Sequence, residues 1–292
     1  MDQYVASAVI ADKSDAHTLA GALQDLIEPT PDALTLFEHG ATAWRIDAYY
    51  GDKPDGERLA AQLTAITGLN VAPFAVADVP DENWVAMSQA ALPPVYAGRF
   101  VIHGSHDRGR VAHGPNSILI DAGEAFGTAH HATTSGCLAA IDRVVRRRVY
   151  ENVLDLGCGS GVLAIAVARL LPRALILASD LDRPSVAVAA ENARLNGVAG
   201  RIHVFAAAGL DHPFIRHAGR FDLLIANILA GPLIGLSKVI ARAVQPGGTL
   251  LLSGLLIPQA AQVIAAYRAA GFRLERHDQV YGWSTLVLTR VG

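Results

Sequence analysis

The sequence predicts an α/β chain in which a smaller α+β domain precedes a mostly parallel sheet that ends in an antiparallel pair of strands. Two patterns indicate this. Residues 152–182 read as a buried strand, a glycine turn, a helix and a second strand, which is the unit of a doubly wound sheet. The first eighty residues instead place two helices among four strands. With 292 residues, of which 51% are apolar and 17% charged, the chain is long enough for two buried cores.

The first domain follows from the order of its elements. Apolar alternation and helical spacing predict, in chain order, a strand over 5–10, a helix over 12–26 capped by Ser14 or Asp15, strands over 33–38 and 42–49, a helix over 55–67 that ends before Gly68, and a strand over 71–77. This is the split βαβ arrangement of a ferredoxin-like domain. Because it carries no catalytic constellation, we expect residues 1–79 to recognise a substrate. A structural or dimerising appendage is the alternative.

A short linker separates this domain from the rest of the chain. Residues 81–92 have the spacing of a helix, which Pro93 and Pro94 end. We therefore assign residues 80–98 to a helical linker and residues 99–292 to the second domain.

The glycine turn of the second domain predicts a nucleoside site. Gly157, Gly159 and Gly161 follow an apolar strand and let the backbone turn sharply beside a ligand. A helix then starts near Ser160. Asp180 ends the next strand, where a carboxylate can accept both hydroxyls of a ribose.

The spacing of these glycines argues against a dinucleotide. That site requires Gly-x-Gly-x-x-Gly with helix amides aimed at a pyrophosphate, but position 162 is Val and Asp155 stands just before the turn. A carboxylate there suits a cation. The pattern resembles that of the class I methyltransferases, which have a Rossmann-like sheet. Their cofactor, S-adenosylmethionine, carries cationic sulfonium and ammonium groups. A glycine turn that only packs helix on strand, and a nicotinamide enzyme, are the alternatives.

Composition narrows the class of protein further. No apolar run approaches the roughly 18 residues that span a bilayer, and the start lacks a basic segment followed by an apolar core, so we expect a cytoplasmic protein. Cys137 and Cys158 have no zinc-type spacing and are expected to be reduced. The formal net charge of −3 predicts no strong direct nucleic-acid binding, so any RNA contact would have to be local.

Two polar segments precede the glycine turn. A loop between predicted strands over 99–104 and 117–120 holds His103, His106 and His113, but the spacing fits no usual metal site, so we predict no metal. The segment 125–134 gathers small, hydroxyl and imidazole groups before a helix over 134–147. Its hydroxyls could cap that helix, or they could hold the carboxylate of a methionine moiety together with free amides.

Asn227 is the candidate catalytic residue. It follows the apolar strand 221–226, which places its amide at the carboxyl edge of the sheet beside the nucleoside site. Methyl transfer to nitrogen needs a neutral, oriented amine, and no acid or histidine stands beside Asn227 as a base. We therefore expect positioning by its side-chain oxygen and nearby carbonyls. A plain strand-ending asparagine is the alternative.

The remaining elements complete the predicted sheet. They are strands over 201–206 and 248–253, a helix over 258–270 and an antiparallel pair over 272–280 and 283–289. Backbone groups around 206–208 would meet the adenine. The basic group Arg143, Arg146, Arg147 and Arg148 closes a helix, where cations suit the helix dipole. An RNA or ribosomal contact is its alternative role.

Five strings together resemble one family. They are Phe-Gly-Thr-x-x-His-x-Thr-Thr at 126–134, Asp-Leu-Gly-Cys-Gly-Ser-Gly at 155–161, Asp-Leu-Asp at 180–182, Glu-Asn-Ala-x-x-Asn-Gly at 191–197 and Ala-Asn-Ile-Leu-Ala-Gly-Pro-Leu at 226–233. Along nearly its whole length the chain is similar to the ribosomal protein methyltransferases that act on protein eleven of the bacterial large subunit.

The resemblance implies an enzyme that uses S-adenosyl-L-methionine to methylate lysine side chains and the α-amino group of a ribosomal protein. It implies a ferredoxin-like recognition domain, a helical linker and a class I methyltransferase domain. The cofactor-binding residues expected from it and from the glycine turn are Thr134, Gly157, Asp180, Asn227, Gly159, Phe126, Thr128 and Asp155. Ala129 and Ala132 depart from it, because the family's loop has glycine there. The alternatives are another protein or a small amine as substrate, or a catalytically weak docking protein that binds the cofactor.

Overall fold

A computed structural model of the chain describes residues 3–39, 43–79, 94–111, 114–120 and 130–292. The chain divides into two compact units, of which the first contains residues 3–79 and the second residues 94–120 and 133–292. The linker helix predicted over 81–92 lies outside the described residues. Within the described ranges, no helix combines the length and apolar character that a bilayer crossing requires.

The first unit is a four-stranded antiparallel sheet with two helices. Its elements are β1 (Gln3–Ile10), α1 (Lys13–Asp25), β2 (Ala33–His39), β3 (Ala43–Tyr50), α2 (Gly56–Thr67) and β4 (Ala75–Val79). The strand order is β2-β3-β1-β4, so each strand pairs with neighbours that run the opposite way. This is the element order of the split βαβ arrangement. Apolar residues of both helices and of the sheet form one buried cluster.

Local chemistry explains where these elements begin and end. Asp12, rather than Ser14 or Asp15, caps α1, because its Oδ1 accepts from the amide of Asp15 at 3.0 Å. The last strand begins at Ala75 and not at residue 71. The amide of Phe74 donates to the carbonyl of Gly56 at 3.1 Å, which ties the preceding segment to the start of α2 instead of to the sheet.

The second unit is built on a seven-stranded sheet. Its elements are β5 (Val95–Ala97), β6 (Phe100–His103), β7 (Ser117–Leu119), α3 (His130–Val145), β8 (Asn152–Leu156), α4 (Val162–Leu170), β9 (Leu175–Asp180), α5 (Arg183–Leu195), β10 (Ile202–Ala206), α6 (Pro213–His217), β11 (Phe221–Asn227), α7 (Ala230–Ala243), β12 (Val244–Leu256), α8 (Ala260–Ala269), β13 (Phe272–Val280) and β14 (Trp283–Arg290). Strands β5, β6 and β7 form a separate small sheet.

The order of the large sheet is β10-β9-β8-β11-β12-β14-β13, and only β14 runs antiparallel to its neighbours. The predicted fold class is confirmed. Chain order reverses at β8, because successive strands are added on one side up to β10 and on the other from β11. Ligands of such sheets bind in the crevice at this switch point, outside the carboxyl ends of the strands.

Several boundaries in this unit differ from the predicted ones. Helix α3 begins at His130 instead of Thr134, so Thr133 and Thr134 lie inside the helix and are not caps. Strand β12 extends over Val244–Leu256 because pairing with β11 and β14 continues beyond the predicted residues. Asn227 is the last residue of β11 and not the residue after it.

Asn196 fastens the small sheet to helix α5. Its Nδ2 donates to the carbonyls of Leu119 at 2.6 Å and Asn192 at 2.8 Å, and its Oδ1 accepts from the amide of Leu119 at 3.0 Å. Arg169 also donates to this oxygen at 3.2 Å. One buried amide therefore holds the end of β7 against α5.

Replacing Asn196 by alanine should lower the free energy of unfolding by about 2 kcal/mol, because buried polar groups of Leu119 lose their partners. Urea unfolding measures this. Glu191→Ala is the control, since that exposed carboxylate pairs with exposed Arg194 and should leave the stability close to that of the wild type. Equal stability of the two variants would contradict the role of Asn196.

Candidate active site

The glycine turn is held by the neighbouring strand. Gly157, Gly159 and Gly161 adopt left-handed φ angles of 71°, 50° and 77°. The amides of Gly157 and Cys158 both donate to the carbonyl of Ser179 in β9, at 2.8 and 3.0 Å. A Cβ on Gly157 would lie 2.3 Å from the side chain of Ile228, so the turn packs closely against the segment after β11.

Asp180 joins three segments at the carboxyl edge of the sheet. Its Oδ2 accepts from the amide of Gly159 at 2.8 Å, and its Oδ1 accepts from the amide of Asp182 at 3.0 Å. The amide of Ala207 donates to its main-chain carbonyl at 2.8 Å. Since each carboxylate oxygen has two lone pairs, the fixed carboxylate can accept further hydroxyl groups.

Asp155 is buried below the turn. Only 1% of its surface is exposed, and its Oδ2 accepts from the amide of Ala164 in the first turn of α4 at 2.9 Å. Its Oδ1 has no hydrogen-bond partner among the described residues. Burial raises the pKa of this carboxyl to about 7, and the charge of Asp180 raises it too, while the Ala164 amide lowers it. The predicted cation-facing carboxylate therefore also fastens β8 to α4.

The end of β11 and the first turn of α3 come together beside the glycine turn. Asn227 Nδ2 donates to Thr133 Oγ1 at 3.4 Å, and its Oδ1 is buried without a hydrogen-bond partner in the described ranges. Ala226 pairs in register with Leu156, so Asn227 lies level with Gly157. Thr134 follows Thr133 in α3 and is buried as well.

Other predicted site residues have different placements. Phe126 and Thr128, with Ala129, lie outside the described residues, as does His113. His103 has a structural role, because its ring nitrogens contact the carbonyl of Gly104 at 2.8 Å and the hydroxyl of Ser117 at 2.7 Å. Within the described ranges, no group of three histidine, cysteine or acidic side chains could hold a metal ion.

Two residues that shape the site were missed by sequence reasoning. Ser179 acts through its main-chain carbonyl, which no side-chain pattern can indicate. Gly254 has a φ of 80° within β12, and a Cβ there would lie 2.5 Å from the carbonyl of Ile228. A single glycine inside a strand pattern signals such a close backbone approach and could have identified Gly254.

The site fits a nucleoside that carries positive charge. Among the described residues, no atom lies within 4 Å of a Cβ added at Gly159, which leaves space beside the turn. The Asp180 carboxylate lies beside it and accepts from the Gly159 amide. The buried Oδ1 atoms of Asp155 and Asn227 have no partner within the described ranges and are further acceptors for hydroxyl or amino groups. The turn over 155–161 contains no lysine or arginine to receive a phosphate.

The strand order, the left-handed glycine turn and the carboxylate that closes the second strand define a class I S-adenosylmethionine-dependent methyltransferase. The model of the family described as "Ribosomal protein L11 methyltransferase (PrmA)" matches residues 3–291. The chain belongs to this family.

Individual relatives agree with the assignment. The chain is 46% identical to the ribosomal protein L11 methyltransferase of Bradyrhizobium diazoefficiens, over 98% of this chain and 97% of the relative. It is 43% identical to that of Brucella abortus, over 96% and 97%. A crystal structure of the ribosomal protein L11 methylase from Lactobacillus delbrueckii subsp. bulgaricus is similar with a TM-score of 0.56 and 27% identity, covering 68% of this chain and 98% of that one.

Asp155 should make the stability of the cofactor-free protein depend on pH. Its pKa is about 7 in the folded chain against an ordinary value of 3.8, so its stabilising contribution is complete below about pH 4 and is lost as the pH rises through about 7. Asp155→Asn keeps an acceptor for Ala164 but cannot ionise. Between about pH 6 and about pH 8.5, we expect the wild type to lose on the order of 1 kcal/mol more than this variant.

Urea unfolding at several pH values measures the difference. Asp211→Asn is the control, since Asp211 is exposed and should leave the pH dependence near that of the wild type. Parallel pH profiles for the wild type and Asp155→Asn would show that Asp155 ionises normally.

Proposed function

We propose that this enzyme methylates lysine side chains and the N-terminal α-amine of ribosomal protein L11. The observation that carries the proposal is the amide of Asn227 at the carboxyl edge of the sheet beside the glycine turn, whose buried oxygen has no hydrogen-bond partner among the described residues. An amide oxygen there can accept an N–H from an amine without taking its proton. The family description and the relatives' names support L11 as the substrate.

Residues of the second unit would hold the cofactor. We assign this role to Thr134, Gly157, Gly159, Asp180, Asn227 and Asp155, together with Phe126 and Thr128. Asp180 would accept the ribose hydroxyls, since its oxygens are held in place by two backbone amides. Bound S-adenosylmethionine supplies an electrophilic methyl group on a sulfonium centre.

The reacting amine must lose its proton before transfer. With an ordinary pKa near 10.4, only about one lysine in a thousand is neutral near pH 7.4, a deficit of roughly 4 kcal/mol, whereas about a fifth of α-amines with a pKa near 8 are neutral. Desolvation in the crevice lowers the pKa of a lysine. The string 226–233 contains no acid or histidine, so we infer that solvent takes the proton.

Asn227 then acts by orientation. Its Nδ2 donates to Thr133, which leaves the carbonyl oxygen of the amide as the acceptor. An N–H bond to this oxygen would direct the lone pair of the amine along the axis of transfer. Holding the two reactants in the correct orientation can supply much of the rate enhancement when no other catalytic group takes part.

The charge of the first domain supports a recognition role for residues 1–79, with 80–98 as the linker and 99–292 as the catalytic domain. Residues 1–79 contain 12 Asp and Glu but only 4 Lys and Arg. An acidic surface attracts and orients a substrate protein that presents several lysines.

Gly159→Ala tests the cofactor site. Alanine at a left-handed position costs about 1–2 kcal/mol of stability, and its methyl group would enter the open space beside Asp180. We expect the affinity for S-adenosylmethionine to fall by about tenfold or more, as measured by calorimetry. Gly197→Ala is the matched control, because Gly197 has a φ of 69° and no described atom lies within 4 Å of an added Cβ. A similar loss of affinity in both variants would mean that the open space is not the cofactor site.

Intact-mass analysis of L11 after incubation with the enzyme and S-adenosylmethionine tests the reaction itself. Successive methyl-sized steps are expected for the wild type, and Asn227→Ala should slow them by about 100-fold because the amine loses its orienting acceptor. Lys238→Ala, on the exposed side of α7, is the control and should keep full activity. Cofactor binding without any mass change in L11 would overturn the substrate and favour another amine or a docking role.

A further inference from the structure

One edge of the large sheet carries an arginine at every strand. This is the edge where the parallel strands begin and β14 ends, opposite Asp180 and Asn227. We call the following residues the arginine edge. In sheet order they are Arg201 before β10, Arg173 before β9, Arg147 and Arg148 before β8, Arg220 before β11, Arg242 before β12, Arg290 at the end of β14 and Arg273 at the start of β13.

Four of these side chains have no acidic partner. Arg147, Arg173, Arg220 and Arg242 are exposed and form no ion pair with any described residue. The other arginines of the edge are engaged, as with Arg273, which pairs with Glu275 at 2.7 Å.

Acidic groups at the edge leave it positive. Asp222 is buried and accepts from the amides of Glu151 and Asn152 at 2.7 and 3.1 Å. The Glu151 side chain is exposed beside β8, and one such carboxylate does not balance four unpaired guanidinium groups.

The whole-chain charge conceals this surface. Residues 93–292 contain 20 Lys and Arg against 13 Asp and Glu, whereas residues 1–92 contain 4 against 14. The net charge of −3 is therefore the sum of about −10 for residues 1–92 and about +7 for residues 93–292. Such a difference in charge between two parts of a chain indicates that they bind different kinds of partner. The expectation of no strong nucleic-acid binding was based on the net charge of the whole chain and did not take this surface into account.

Helix dipoles explain only part of the pattern. Helices of the second unit end at this edge, and cations suit their carboxyl ends. Arg242 lies in the last turn of α7, but Arg173 and Arg220 lie three residues beyond the ends of α4 and α6. Helices α1 and α2 of the first unit have no basic residue in their last turns. Every α-helix described in the second unit, by contrast, has a basic residue in its last turn, so the helix dipole accounts for Arg242 but not for Arg173 and Arg220.

The arrangement fits a linear polyanion. Seven strands spaced by about 4.8 Å give a row of about 29 Å, which is long enough to contact several consecutive phosphates of a nucleic-acid backbone. Guanidinium groups match phosphate oxygens in a two-pronged geometry. We propose that the arginine edge binds the phosphate backbone of RNA. The choice of RNA rests on the proposed function, because a protein of the ribosome lies among RNA.

RNA and cofactor would not compete for space. The strands between the two edges are five to seven residues long from β8 to β11, which separates the edges by about 17–23 Å. RNA bound at one edge therefore leaves the crevice at Asp180 and Asn227 open.

Fluorescence anisotropy with a fluorescein-labelled single-stranded RNA of about 20 nucleotides tests the proposal. Affinity should fall steeply with salt, with a slope that corresponds to about three to five phosphates. Arg173→Glu with Arg220→Glu should weaken binding by tenfold or more. The matched control, Lys53→Glu with Arg58→Glu, reverses two exposed charges of the first unit and should bind as the wild type does. Both pairs should keep the melting temperature and the affinity for S-adenosylmethionine.

Three outcomes would overturn the proposal. They are no binding at low salt, equal affinity in the wild type and Arg173→Glu/Arg220→Glu, and self-association by light scattering that this pair abolishes. The last result would assign the edge to the acidic first unit of a second copy. Arg147→Ala with Arg242→Ala gives a second measurement if the reversed pair does not fold. Because anisotropy involves no methyl transfer, failure of L11 methylation would leave this readout intact.

Discussion

The carboxylate of Asp180 is the interaction on which the catalytic edge of the sheet depends. It holds the glycine turn after β8 and the segment after β9 through two backbone amides, and its own carbonyl receives the amide of Ala207 after β10. A turn of glycines has little conformational preference of its own. Hydrogen bonds from the turn's own amides to the Asp180 carboxylate and the Ser179 carbonyl fix it, and Gly159 adds no side chain to the space beside it. Hydrogen bonds therefore hold the proposed cofactor site in one conformation, although its glycines have little conformational preference of their own.

The chemistry of the site follows from what surrounds that space. Asp155 and Asp180 supply negative character near a cofactor that carries positive charge, yet Asp155 is buried so deeply that its pKa rises to about 7. In the cofactor-free protein this carboxyl is therefore partly protonated near neutral pH, which limits the cost of burying it beside a second carboxylate. At the other side of the turn, the neutral amide of Asn227 can orient an amine without forming an ion pair that would hold it in the charged, unreactive state.

Much of this fold could be predicted because the spacing of the apolar residues and the positions of the turn-forming residues indicate the same element boundaries. The strand Asn152–Leu156 and the glycines after it are both local signals, and so is Gly68 at the end of α2. The errors arose where a distant partner decides. The start of β4 depends on the bond between Phe74 and Gly56, and the roles of Ser179 and Asn196 depend on partners from other elements. Sequence patterns indicate which residues are available, but tertiary contacts decide which atoms are used.

The distribution of charge over the surface also depends on the fold, and the net charge of the chain conceals it. A chain with a small net charge can consist of an acidic unit followed by a basic one. In a parallel sheet, the position of a residue in its strand decides at which edge of the sheet it lies, just as alternation decides on which face it lies. Residues that precede strands collect at one edge and residues that follow strands at the other, so Arg173 and Arg220, 47 positions apart in number, lie on the same edge. The opposite edge carries Asp180 and Asn227, the acceptors that we propose for the cofactor and the amine. The same topology therefore separates a surface suited to phosphate from a crevice that excludes it.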